Sequence, residues 1–387
     1  MADPALLALA GWSRSVSERL RCPSPESVPR FLGWLRRLGE RTPGLALLPT
    51  SDEIVWLFAR QADELKRVFR LAPLSPECAL TILDKWRLRQ ACEAVGLGVL
   101  PTFCPESAAD LPSLAAQASF PLVVKPRTQL FHGSHSKGAV VDDLPQLSAA
   151  WKSLAAVGCR DEDLLRREPG LQRPLLQPFV SDPRMGVISI SGFADAAHEI
   201  VGARAASKVV LHPRMLSVGL RFRERPVDPA LLDGLRRLVR KVFFHGVFEA
   251  EFLPWQGRLC LIDFNPRIYG QIGFDMARGF PLASMAYAEA IGDHAEVTRL
   301  ARSVGPDLPD AEYLNAFALR ADRIVSRLLR EQVPEGVSPR AQGIRLAFVE
   351  DPRDPVPSLL DKLQLARSQL RRLARHLINR RRRLRPD

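Results

Sequence analysis

The chain has 387 residues, 46% of them apolar and 25% charged, with 24 glycines and 32 prolines. That balance excludes a disordered or low-complexity chain, and at roughly 150 residues per domain it implies two or three domains with ordinary cores. The net charge of +12 is uneven: residues 366–387 hold nine arginines and one acid, which leaves only +4 for everything before them. No apolar run approaches the ~20 residues needed to cross a bilayer. The opening MADPALLALAGWSRS lacks both the basic start and the apolar length of a signal peptide, so a soluble cytoplasmic protein is expected. Six scattered cysteines form no C-x-x-C pair, and His132 and His135 lack a third ligand, so neither a disulfide framework nor a zinc site is expected.

In chain order, the first 44 residues read as helical, with Phe31, Leu32, Leu35 and Leu38 on one face. Leu45–Leu48 reads as a short buried strand. The turn Pro49-Thr-Ser-Asp-Glu53 then opens a helix through about Phe69, with Thr50 and Glu53 in capping-box register. A helix follows from Asp84-Lys85 to Ala94, closed by Gly96 and Gly98. From residue 120 the pattern turns to strands. Phe120–Lys125 is a strand stopped by Pro126, and Gly133–Gly138 forms the turn of a hairpin between Leu130 and Ala139–Val141. Pro145–Ala156 is a helix, with its proline where a first turn tolerates one. Leu175–Val180 is a strand, Val187–Phe193 with Glu199–Ala206 a second β pair, and Ala230–Phe244 a helix. Val247–Leu253 with Leu259–Phe264 makes a third β pair, and helices fill 280–292 and 312–332. Mixed sheets interleaved with helices indicate α+β lobes, with an α/β layer at the N-terminus.

The most informative stretch runs from Val247 to Arg267. A tight turn at Gln256-Gly257 sets Glu251 beside Asp263, and Asn265, two residues on, shares the face of Asp263. Three oxygen donors without sulfur or imidazole suit a hard cation such as Mg²⁺. Arg267, two further on, is placed to contact phosphate oxygens as a planar fork. Lys125, at the end of an apolar strand, is costly unless it meets an anion. Gly133 and Gly138 allow close backbone approach to phosphates, with Ser134, Ser136 and Lys137 as further donors.

These motifs, in this order and spacing, resemble the ATP-grasp superfamily over about 200 residues. Within it, the carbamoyl-phosphate-synthetase-like carboxylate–amine ligases are most similar. The resemblance implies two α+β lobes clamping ATP, preceded by a Rossmann-like domain that is shortened here, since only 48 residues precede Pro49. It implies that Lys125, Ser134, Lys137 and Gly138 contact the phosphates, while Gln177, Phe179 and Val180 hold adenine. It also implies that Glu251, Asp263 and Asn265 bind Mg²⁺ (with Mn²⁺ as an alternative), and that Arg267, Lys208 and Arg214 act on the phosphate or acyl-phosphate. Asp263 stands where the family more often has glutamate, and the ribose-binding acid has no clear counterpart, Asp182 being one register off and Arg184 standing in the expected region.

The function so implied is ADP-forming ligation: a substrate carboxylate is activated as an acyl-phosphate and joined to an amine. The expected division is 1–100 as the shortened N-terminal domain, 101–180 as the small lobe and 181–310 as the large lobe with the metal site. Residues 311–365 complete the fold, and 366–387 form a basic amphipathic helix. That segment either packs by its leucines, or binds nucleic acid, or binds an anionic membrane surface, which would make the protein peripheral to the membrane. A homodimer is a candidate assembly. The alternatives to a ligase are a non-catalytic nucleotide-binding protein and a binding protein acting through its basic tail.

Overall fold

The computed structural model describes residues 1–5, 7–133, 137–180, 186–212, 218–306, 310–329, 345–347 and 351–383, with backbone only for 210–212, 218, 345–347 and 375–383. Two short strands, β1 (Ala2–Asp3) and β2 (Leu20–Arg21), pair in parallel near the N-terminus, followed by helix α1 (Val28–Arg41). The helical reading of the first 44 residues therefore holds only for α1, whose Phe31, Leu35 and Leu38 are buried. Leu45–Leu48 contributes a single parallel bridge, Ala46 to Arg70. Between the bridged segments run α2 (Asp52–Arg60) and the one-turn α3 (Ala62–Leu65). The expected single helix to Phe69 is interrupted, and its cap is Ser51, whose side chain accepts from the Ile54 N–H at 3.4 Å. Helices α4 (Pro76–Leu83) and α5 (Lys85–Ala94) complete this N-terminal layer.

A three-stranded antiparallel sheet comes next, built from β3 (Leu122–Lys125), β4 (Ala139–Val141) and β5 (Leu175–Pro178) in the order β4-β3-β5. The partner of β4 is β3, not the segment near Leu130, which is a loop. Apolar residues of α6 (Leu111–Gln117) and α7 (Leu144–Ala156) pack on this sheet around Leu122, Val124 and Leu176. The short α8 (Glu162–Arg167) precedes β5.

The larger sheet has seven strands: β6 (Val187–Ala194), β7 (Ile200–His212), β8 (Val218–Arg225), β9 (Gly246–Trp255), β10 (Arg258–Asn265), β11 (Glu312–Leu314) and β12 (Arg345–Ala347), in the order β10-β9-β6-β7-β8-β11-β12. Helix α9 (Pro229–Val242) packs between this sheet and the N-terminal layer. Helices α10 (Ile272–Ala277), α11 (Leu282–Ala290) and α12 (His294–Arg302) follow β10. The helix expected over 312–332 begins instead as strand β11. Its Glu312 is buried between Arg221 and Arg223, and α13 (Ala316–Leu328) starts only after the cap Asn315. The chain ends in the long α14 (Pro355–Arg383).

The face of β9 and β10 that meets the core fixes their register. Phe248, Ala250 and Phe252 of β9 and Leu261 and Phe264 of β10 are buried in the largest cluster, with Phe248 and Phe264 stacked at 5.4 Å. Leu261 and Phe264, three residues apart, share that face because the ladder shifts between Leu261 and Asp263. A slip by one residue would exchange these aromatics for carboxylates, so burial of each phenylalanine, about 1.5–3 kcal/mol, also sets where the acids point.

Candidate active site

On the opposite face, Glu251 pairs in register with Asp263, and Glu249 with Asn265. Neighbouring strand β6 lays Ser189 and Ser191 beside Glu251 and Glu249. The four polar side chains from β9 and β10 thus form one compact acidic patch, as the spacing of Glu251, Asp263 and Asn265 predicted. Glu249 was not foreseen. It stands two residues before Glu251, so strand alternation alone was signal enough to find it.

Lysines neutralise this patch. Lys208 of β7 reaches Glu249 at 2.9 Å and Glu251 at 2.7 Å. It is held above the usual lysine range because the attraction of Glu251 and Glu249 exceeds the burial cost. Burial and the neighbouring Glu251 push Glu249 up, against the pull of Lys208. Lys85, the first residue of α5, donates to Asp263 at 2.5 Å. Burial alone would raise Asp263, yet Lys85, with Lys125 and Lys137 behind it, brings it down to about 2. The Asp263 carboxylate is therefore ionised at neutral pH.

Lys125, at the end of β3, faces the same cleft from the three-stranded sheet and feels both Asp263 and Glu251. Among the described residues it has no hydrogen-bond or ion-pair partner. Burial first, then repulsion from Lys85, pulls it down to about 7. An ammonium so placed fits an anion. Gly138 lies directly against it, with φ +140°, and a Cβ there would come within 2.5 Å of the Val124 carbonyl oxygen. The side chain of the exposed Lys137 lies close enough to act on Asp263.

Arg267 is fixed from the N-terminal layer. Its Nε donates to Asp52, the first residue of α2, at 2.6 Å, and a terminal nitrogen donates to Asn265 at 3.2 Å. Asn265 in turn donates to Glu249 at 3.2 Å, and Gln271 also donates to Glu249. Beyond this network lies a buried group in which Ser191 (2.7 Å), Tyr269 and Arg278 all donate to Asp275. Sequence reasoning missed Asp52, Lys85 and Asp275 as well.

Of the remaining expected residues, Gln177 donates from β5 to Thr102 at 2.8 Å. Phe179 leaves the strand with its N–H on the Pro121 carbonyl at 3.0 Å, and Val180 follows it, half-buried. Ser134, Ser136, Asp182, Arg184 and Arg214 lie outside the described residues.

Among the described residues no three acids, histidines or cysteines converge into a ready-made metal cage. The donor set is instead two carboxylates and an amide, all oxygen. That is what Mg²⁺ takes when substrate phosphates and water complete its octahedron. The ammonium groups of Lys85 and Lys208 already mark these oxygens as cation ligands, so the residues present fit the ion.

No family model and no curated protein matches the sequence. Solved structures do match in fold. An L-amino acid ligase from Bacillus licheniformis superposes with a TM-score of 0.56 at 14% identity, over 76% of this chain and 67% of its own. The biotin carboxylase of Campylobacter jejuni gives 0.55 at 16%, over 76% and 64%. The biotin carboxylase domain of the Hydrogenobacter thermophilus 2-oxoglutarate carboxylase gives 0.55 at 14%, over 73% and 62%. The chain thus spans about two thirds of the length of each. The mixed helices and sheets of this chain, matched over about three quarters of its length by these structures, make this an ATP-grasp fold.

Proposed function

We propose that the protein is an ADP-forming ligase that activates a small-molecule carboxylate as an acyl-phosphate and joins it to an amine. One observation carries this reading: Lys125 on one lobe, without a hydrogen-bond or ion-pair partner among the described residues, faces the in-register Glu251 and Asp263 on the other, so a cationic group stands opposite a pair of carboxylates. Two of the similar structures support it, one being a β-γ-ATP complex and the other holding MgADP and bicarbonate.

A carboxylate is a poor electrophile because its oxygen leaves only as oxide. In the proposed reaction its oxygen attacks the γ-phosphorus of ATP as the bond to ADP breaks. The amine nitrogen then attacks the acyl carbon, phosphate departs and the nitrogen loses a proton. Both steps need positioning and charge neutralisation more than a nucleophilic side chain. Glu251, Asp263 and Asn265 would hold Mg²⁺, or Mn²⁺ in its place, and the ion supplies positive charge at the phosphate oxygens. Lys125 and Lys137 neutralise the phosphates, and the backbone at Gly138 approaches them closely. Lys85 adds a third charge once it leaves Asp263. Gln177, Phe179 and Val180 line the adenine position. Arg267, braced by Asp52, meets the transferred group, with Lys208 beside it. In this reading 1–100 is the N-terminal domain, 101–180 and 181–310 are the lobes, and 311–365 completes the fold.

The test is product analysis with Mg·ATP and pools of amino acids and small acids. ADP and phosphate are expected, dependent on both a carboxylate and an amine, whereas AMP and pyrophosphate would overturn the acyl-phosphate route. Asp263→Asn and Glu251→Gln are each expected to reduce turnover by about a hundredfold or more, with the circular dichroism spectrum unchanged. Full turnover in either would remove that residue from the metal site.

A further inference from the structure

Helix α14 carries apolar residues on two sides. The face against the body is mixed, with Pro357 buried, Leu360, Leu365 and Leu373 half-buried, and polar anchors among them. Ser358 and Gln369 are buried, Asp361 accepts from Asn315 at 3.0 Å, and Arg372 donates to Asp322 at 2.7 Å and to Ser326 at 3.3 Å. The apolar residues Val356, Leu359, Leu363 and Leu370 stand at i, i+3, i+7 and i+14, which makes one stripe on the outer face. They are 42%, 59%, 58% and 66% exposed. Arg367 and Arg371, also exposed, flank the stripe.

We propose that this outer face docks on an anionic lipid surface, with α14 lying in the plane of the interface. Charge decides among the possible occupants. Residues 355–383 hold nine lysines and arginines against a single acid, Asp361, which is turned inward to Asn315. A second copy laid along the stripe would bury the leucines but bring together two helices that each carry a large excess of positive charge. A nucleic acid would neutralise the arginines and leave the leucines in water. An anionic bilayer satisfies both groups at once: leucines sink to the acyl boundary, and arginines extend to the phosphates. No described helix is long and apolar enough to cross a membrane.

The experiment is co-sedimentation of the full chain with vesicles of phosphatidylglycerol mixed with phosphatidylcholine, or of phosphatidylcholine alone. Binding to the anionic vesicles only is expected. At about fivefold per arginine, Arg367→Gln with Arg371→Gln weakens it about thirtyfold. Leu359→Gln, Leu363→Gln and Leu370→Gln together weaken it about tenfold or more. These side chains are exposed, so circular dichroism should be unchanged. No binding to anionic vesicles overturns the proposal, as does binding indifferent to the leucine substitutions, which would be electrostatic adhesion alone. Concentration-dependent dimerisation abolished by the leucine substitutions assigns the face to a second copy and also overturns it. So does a mobility shift with duplex DNA or RNA that these substitutions leave intact.

Discussion

Lys125 is the residue whose charge state the fold leaves open. Burial and the nearby Lys85 hold it near 7, so it is charged below that pH and increasingly neutral above it. A phosphate arriving at higher pH must therefore recruit a proton to this neutral amine, making it an ammonium. Affinity for Mg·ADP is expected to fall as pH rises from about 7 toward about 9, by up to tenfold per pH unit while the bound form stays protonated. Lys125→Arg, cationic throughout, should flatten that profile. Calorimetric titrations across this range, in buffers of different ionisation heat, read both the slope and the proton uptake. An identical slope in the variant would detach Lys125 from the phosphates.

At the scale of elements, the β9–β10 hairpin carries the site, and its outer edge depends on close backbone approach. The Leu261 N–H donates to the Gly98 carbonyl at 2.8 Å, and Val99 bridges Leu261 in parallel. A Cβ on Gly98 would meet the Leu259 carbonyl oxygen at 2.8 Å, so Gly98→Ala must part the segment from β10. A destabilisation of about 1–3 kcal/mol is expected by denaturant unfolding. Gly305→Ala, with open space around it, should be within about 0.5 kcal/mol of neutral. Equal effects would show that the contact at Gly98 is not what the glycine serves. This hairpin was legible in the sequence because its pairings are local: Asp263 finds Glu251 across a two-residue turn, and alternation does the rest. Strand β8 was not, since the carboxylate that meets its buried Arg221 and its exposed Arg223 is Glu312, some ninety residues on, in a segment whose own pattern reads as helix. Tertiary pairing overrode propensity there. At the C-terminus the amphipathic pattern expected over 366–387 matches α14 up to Arg383, and residues 384–387 lie outside the described ones.

For the whole molecule, the N-terminal layer acts as the third wall of the cleft rather than as an appendage. Asp52 and Lys85 reach Arg267 and Asp263 across 215 and 178 residues of sequence, distances over which no local pattern carries information. The same layer is bolted to the three-stranded sheet by Asp84 and Arg127, a buried pair with two contacts of 2.7 Å. Breaking such a pair from one side costs about 3–5 kcal/mol. Arg127→Met should therefore lower the unfolding midpoint markedly, and the loss of Asp84's anchor at the start of α5 should carry Lys85 with it. In the proposed mechanism Lys85 would serve two posts in turn: on Asp263, where it stands in this structure, it would compete with a divalent ion, and on a phosphate it would assist the nucleotide. Lys85→Met should accordingly tighten Mn²⁺ binding in the absence of nucleotide, read by water-proton relaxation, and weaken Mg·ADP binding in the same protein. Movement of both affinities in one direction would mean that Lys85 does not pass between the carboxylate and the phosphate, and that its bond to Asp263 is purely structural.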